Sequence, residues 1–170
     1  MTTPTAQHPI VVLGASGKTG RRIVERLRAR GLPVRLGSRS ARPAFDWHDP
    51  NTWRPALEGA SAAYVSYFPD LAAPGASEAV GAVANIAVEA QVERVVLLSG
   101  RGEHEAQRSE EELQRSGATW TVVRSSWFAQ NFSEATSASR SWAASWRCRP
   151  ARWASPSSTP TTSPTSPSRR

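Results

Sequence analysis

Ile10-Val11-Val12-Leu13-Gly14-Ala15-Ser16-Gly17-Lys18-Thr19-Gly20 is the stretch whose reading decides the fold. Four apolar residues predict a short buried strand. Gly14, Gly17 and Gly20 follow at three-residue spacing. A helix then begins, with Ile23, Val24 and Leu27 on one face and Arg21, Arg22, Glu25, Arg26 and Arg28 on the other. Strand, glycine turn and helix make the first half of a dinucleotide-binding unit. A turn without side chains lets the backbone approach a pyrophosphate. The free N–H groups and positive dipole end of the helix then face the anion.

Gly17-Lys18-Thr19 also looks like the second half of a nucleotide triphosphate loop. That motif needs a glycine five residues before Gly17, and position 12 is Val. The remaining alternative is a tight strand-to-helix turn that binds nothing.

Working outward, Gly31 is a fitting left-handed stop for the first helix. Leu32 to Gly37 reads as the second strand, followed by Ser38-Arg39-Ser40-Ala41-Arg42. In a dinucleotide fold the end of this strand meets the adenosine ribose. An acid there accepts from the 2′-hydroxyl, and an Arg pairs with a 2′-phosphate. Arg39 follows Ser38, and no acid appears before Asp46, so the residues favour NADP over NAD. The alternative for Arg39 is a solvated surface position.

Ala44 to Trp47 reads as a third strand, and Asp49-Pro50 starts a helical turn holding Trp53 and Leu57. Ala62 to Tyr67 is the fourth strand, with Ser66 a cofactor-binding candidate; Phe68-Pro69-Asp70 lies at its C-terminal end, the edge where open α/β sheets bind ligands. A helix over about 76–90 turns Val80, Val83, Ile86 and Ala87 inward. Arg94 to Leu98 is a buried strand that delivers Ser99-Gly100-Arg101-Gly102 to the same edge. Ser99 is a hydrogen-bond candidate for a nicotinamide ribose, or else a helix N-cap. The helix over about 103–116 is polar. Ala106 and Leu113 are its anchors, and Arg108 with Glu112 and Glu111 with Arg115 are its expected ion pairs. Trp120 to Arg124 is the last clear strand. The alternation predicts an α/β fold: a doubly wound, mainly parallel, Rossmann-like sheet in the order 3-2-1-4-5-6, incomplete at its C-terminus.

Composition narrows the function. At 170 residues, one domain is the expectation, and 39% hydrophobic content supplies a core. No apolar run approaches the ~20 residues of a membrane span, and Met1 to Pro9 has no signal-peptide pattern. The single cysteine, Cys148, rules out an internal disulfide and suits a reducing cytoplasm. His8, His48 and His104 are scattered, so no metal-ligand cluster is visible. The net charge of +7 resembles a nucleic-acid signal, but its distribution does not. Residues 1–134 hold 15 Lys and Arg against all 14 acids, while residues 135–170 hold six Arg and no acid. A small-molecule substrate is therefore favoured over nucleic acid as partner, and no membrane is expected.

The chain resembles the NmrA-like branch of the atypical short-chain dehydrogenases. The resemblance rests on Gly14-Ala15-Ser16-Gly17-Lys18-Thr19-Gly20, Ser38-Arg39, Phe45-Asp46-Trp47, Leu98-Ser99-Gly100, and Val123-Arg124 running to Trp127-Phe128-Ala129-Gln130-Asn131-Phe132. Phe45-Asp46-Trp47 together with Trp53 looks most like the ergot-alkaloid (festuclavine or agroclavine) dehydrogenases of that branch. The resemblance covers about residues 9–134 and implies NAD(P)(H) binding. Some members reduce iminium or quinone substrates, and others sense cofactor redox state without turnover.

The residues limit the mechanism. Ordinary short-chain dehydrogenases use Tyr-x-x-x-Lys, in which the Lys lowers the Tyr pKa. Lys18 is the one lysine, and Tyr64 and Tyr67 are followed four residues later by Phe68 and Leu71. That relay is absent, and no catalytic residue is assigned. An iminium ion or quinone can still accept hydride. Tyr67, Phe68, Trp127, Phe128 and Asn131 are the candidates for shaping a substrate pocket; core packing is the alternative for the aromatics.

The last 36 residues, 135–170, use only Ala, Thr, Ser, Arg, Trp, Cys and Pro. A low-complexity disordered tail is the plain reading. Three Trp and a Cys argue against it. All seven types have codons with C or G in second position, which is what a GC-rich gene yields when read one nucleotide out of frame. Reversing that shift makes Pro156 to Pro167 compatible with Pro-Phe-Val-Asp-Ala-Asp-Asp-Ile-Ala-Asp-Val-Ala, an acidic amphipathic helix start. The expectation is a frameshift shortly after Glu134, separating a dinucleotide-binding domain at 1–134 from an out-of-frame tail at 135–170.

Overall fold

The computed structural model describes residues 8–126. Five strands, β1 (Ile10–Leu13), β2 (Val34–Gly37), β3 (Ala62–Val65), β4 (Arg94–Gly100) and β5 (Trp120–Ser125), form one sheet in the order β2-β1-β3-β4-β5. Every neighbouring pair is parallel. Four helices, α1 (Lys18–Ala29), α2 (Trp53–Leu57), α3 (Ala76–Glu89) and α4 (His104–Arg115), connect them. A single 3₁₀ turn, Pro50–Thr52, leads into α2. Among the described residues, no helix is long and apolar enough to cross a membrane.

The sheet is buried on both faces, which is why its strands read as unbroken apolar runs. Val11 and Leu13 of β1, Ala63 and Val65 of β3, and Val95 and Leu97 of β4 point to one side. There they meet Trp53, Ala56 and Leu57 of α2, Val80, Val83 and Ala87 of α3, and Ala106 and Leu113 of α4. Val12 and Tyr64 point the other way, to Val24, Ile23 and Leu27 of α1. α1 ends as expected. Gly31 has φ +72°, and the Leu32 N–H reaches back to the Leu27 carbonyl at 3.1 Å.

The structure corrects the expected third strand. Residues 44–47 do not join the sheet; Asp46 makes only an isolated bridge to Asp49. Local side chains take the backbone groups a strand would offer. The Asp46 N–H donates to Thr52 Oγ1 at 2.9 Å, and the Asp46 carbonyl accepts from Trp53 Nε1 at 2.7 Å. Phe45 is buried, its ring perpendicular to that of Trp47 with centroids 4.8 Å apart. The order is thus the expected one without its outer strand, and β2 is the edge.

The polar helix is corrected too. Glu111 pairs with Arg115 at 3.1 Å, but Arg108 turns to Glu105 and Glu112 to Arg115. Ser109 and Glu110 are buried alongside Ala106 and Leu113. The remaining strand ends shift by a residue or two, with β4 running on to Gly100.

Candidate functional site

Strand order reverses at β1, because β2 lies on one side of it and β3 on the other, all parallel. A crevice opens at the carboxyl ends of the strands at such a point. Here it is a cleft of about 810 Å³.

Its first wall is the glycine turn. The N–H groups of Gly14 and Ala15 donate to the Gly37 carbonyl at 3.0 and 3.3 Å, which ties the turn to the end of β2. Gly14 has φ +81°, and a Cβ there would lie 2.8 Å from the Ser66 carbonyl oxygen. A Cβ at Gly20 would collide with the Gly14 carbonyl, so this glycine lets α1 pack against the turn. Gly17 differs. It is the N-cap of α1 without a side-chain cap, and the nearest protein atom to a Cβ there is the Gly14 oxygen at 3.2 Å. The first N–H groups of α1 have no partner within the helix, and Lys18 and Thr19 of that first turn line the cleft. Beneath the turn, Tyr64 sits beside Thr19, and burial pushes its phenol above the ordinary value.

At the end of β2, the Ser38 carbonyl accepts from the Ala41 and Phe45 N–H groups at 3.1 and 2.9 Å. This turn holds exposed Arg39, which lines the cleft along with Lys18. Of the ten residues expected to contact a cofactor, Gly14, Ser16, Gly17, Lys18, Thr19, Ser38, Arg39, Ser66 and Ser99 line the cleft. Gly20 is buried behind them.

Tyr67 packs on Trp47, ring centroids 4.7 Å apart, and Trp47 on Trp53 at 6.1 Å. Tyr67 therefore serves both core and cleft. Phe68 lines the cleft and is 68% exposed. Trp127, Phe128 and Asn131 lie outside the described residues. Asp46, His48, Asp70 and Glu103 also line the cleft; the sequence marks Asp46 in the Phe45-Asp46-Trp47 stretch and Asp70 at a strand end, and carries no site signal for His48 or Glu103. Asp70 and Glu103 lie past the ends of β3 and β4. The Glu103 carboxylate folds against Gly100.

Ser99 is only 3% exposed, and its Oγ donates to Glu110 Oε1 at 2.6 Å. Arg124 grips the same carboxylate. Sequence reading missed this trio, although one signal was present. Ala106, Glu110 and Leu113 are spaced four and three apart, so Glu110 belongs to the inward stripe.

A glycine turn, an uncapped helix N-terminus and a basic strand end around one crevice define a dinucleotide-binding α/β protein. The chain belongs to the NAD(P)H-binding family, whose model matches residues 14–141. Over 142 residues it is 28% identical to the prestalk A differentiation protein A of Dictyostelium discoideum, covering 74% of this chain and 46% of that protein. The fold is similar to that of an NADPH-dependent quinone oxidoreductase of Escherichia coli complexed with NADPH. That pair has a TM-score of 0.61, 19% identity and coverage of 74% and 51% of the two chains. It is similar too to a triphenylmethane reductase of Citrobacter sp. complexed with NADP(H), at a TM-score of 0.60, 18% identity and coverage of 73% and 51%. The chain thus spans about half the length of these relatives.

Proposed function

We propose that this chain binds NADPH in preference to NADH, and that the intact protein passes hydride to a small iminium, quinone or enone-like compound. The observation that carries the reading is the lining of the cleft: the glycine turn, Lys18 and Arg39 share it with the aromatic side chains of Tyr67 and Phe68. The residues fit the cofactor. Gly17 leaves the turn open where a pyrophosphate would lie, and Arg39 stands at the strand end that meets a ribose 2′-phosphate. Bound there, the cofactor supplies a hydride, two electrons and a proton in one transfer. The chain binds the anionic end through backbone N–H groups and orients the far end with Ser66, Tyr67 and Ser99. An iminium carbon needs no proton from the protein, and a quinone oxygen can take one from water. The named reductases of similar fold, with the NmrA-like resemblance, support this class of substrate.

Titration by fluorescence tests it. NADPH is expected to bind at least tenfold tighter than NADH, and Arg39→Ala to remove most of that difference, since a charge-assisted contact is worth about 1.5–3 kcal/mol. Equal affinities would sink the Arg39 assignment. Oxidation of NADPH with added quinone tests turnover. Binding without turnover would favour a second reading, a redox-sensing regulator. The cleft supports that reading to one extent: Lys18, its one lysine, is in the glycine turn and not four residues after a tyrosine.

We also propose that residues 135–170 are read from a displaced frame, on the strength of their composition. The tail, like the expected domain boundary at 134, lies outside the described residues. The coding sequence downstream of codon 134 decides it. An alternative frame that stays open for a further half-domain supports the proposal, and an early stop in that frame defeats it.

A further inference from the structure

Glu110 is 2% exposed, on the face of α4 that carries Ala106 and Leu113 into the core. Among the described residues, two side chains reach its carboxylate. Arg124 of β5 donates from Nε to Oε1 and Oε2 at 3.0 and 3.1 Å, and from Nη2 to Oε2 at 2.6 Å. Ser99 of β4 donates from Oγ to Oε1 at 2.6 Å. The Arg124 contacts hold the Glu110 carboxyl below the usual carboxylate range and outweigh burial, which acts the other way.

An ionised carboxylate only accepts hydrogen bonds. The Ser99 proton is therefore committed to Glu110. A serine hydroxyl at a binding surface ordinarily rotates to donate or accept as its ligand requires. This one, on a buried residue that lines the cleft, has only its lone pairs left to offer.

We propose that Glu110 is a positioning residue. Through Ser99 it makes the β4 end of the cleft an acceptor-only contact, selective for a donor on the nicotinamide nucleoside: a ribose hydroxyl or the carboxamide amine. This rests on the NADPH reading and adds to it the polarity of one contact and the residue that sets it. Arg124 acts a step further back. Its side chain is 56% exposed, so solvent carries part of its charge while Glu110 is held dry.

Full-length wild type, Ser99→Ala, Glu110→Gln and the double variant test the proposal, with NADPH and 2′,5′-ADP as probes. The second probe has the adenosine half alone. In Glu110→Gln the amide oxygen stays with Arg124 and its NH₂ turns to Ser99, which reverses the hydroxyl. Each single variant is expected to weaken NADPH roughly tenfold, the scale of one lost hydrogen bond. The double variant should lose no more than either single, and 2′,5′-ADP should bind all four alike. Equal losses on both probes, or additive losses in the double variant, would mean a structural Glu110 and overturn the proposal. Glu110→Asp keeps a carboxylate for Arg124 but withdraws it from Ser99, so it carries the test if the Gln variant does not fold. It should lose NADPH and keep 2′,5′-ADP, and unchanged NADPH affinity overturns the proposal. A wild type that binds neither probe removes the cofactor reading itself. A wild type that binds NADPH as well as Ser99→Ala does removes this inference alone.

Discussion

Gly17 and Gly20 carry the same sequence signal, but their surroundings differ. A Cβ at Gly20 meets backbone, the Gly14 carbonyl, which cannot move without opening the turn. A Cβ at Gly17 meets that oxygen at 3.2 Å and otherwise enters the cleft side of the turn. Gly20→Ala should therefore lower the unfolding midpoint in urea. Gly17→Val should fold and lose NADPH, read by fluorescence titration; binding that survives would make the turn purely structural. Glu110 predicts a pH effect whose sign is set by the direction of its shift. Its folded pKa lies below the unfolded value of about 4.3, because Arg124 bonds the charged form. Its stabilisation is complete above that value and is lost as pH falls through the lower, folded pKa. The stability gap between wild type and Glu110→Gln should be widest near neutrality and narrow below about pH 4, measured by urea titrations at each pH. A gap independent of pH would show that the carboxylate charge is not what stabilises.

Elements meet at the sheet, and the two sides of β4 and β5 show what burial is worth. Leu97 is fully buried between α3, α4 and the strands on either side of β4, whereas Val123 of β5 is 47% exposed. Leu97→Ala should destabilise by about 2–5 kcal/mol, the range for a large-to-small change in a packed core. Val123→Ala should change stability by about 0.5 kcal/mol or less. Chemical denaturation of the two variants checks this, and similar losses would mean that Val123 is covered in the folded chain. The α2 region follows the same logic on a smaller scale. Five residues make a weak helix alone, but Trp53 and Leu57 bury into the core and Asp49 accepts from the Asn51 N–H at 3.1 Å to start the turn.

For the whole molecule, cofactor and stability are linked. A ligand that binds only the folded state at a hundred times its Kd stabilises it by about 2.7 kcal/mol. NADPH should raise the thermal midpoint by several degrees, and Gly17→Val should abolish the rise while keeping its own midpoint near wild type. A midpoint indifferent to NADPH would show that the cleft takes no such ligand. Lys18 and Arg39 line the cleft together with Asp46, Asp70 and Glu103. The affinity gained from the first pair should fall as salt is raised, because exposed charges are screened.

The sequence by itself determined the parallel sheet, the glycine turn and the sheet edge that carries the site. Those features are local: apolar runs, helical spacing from Ile23 to Leu27, and three glycines at fixed intervals are readable without neighbours. It also placed Ser38, Arg39, Ser66 and Ser99 at strand ends, since topology alone brings every parallel strand end to one edge. Only the tertiary structure decided that residues 44–47 stay out of the sheet, because Thr52 and Trp53 claim the backbone of Asp46. Only it showed that Glu110 is a core residue, because the partners that make its burial tolerable, Ser99 and Arg124, come from two other elements. A charge on a helix reads as solvated until the groups that satisfy it are known, and those groups are eleven and fourteen residues away.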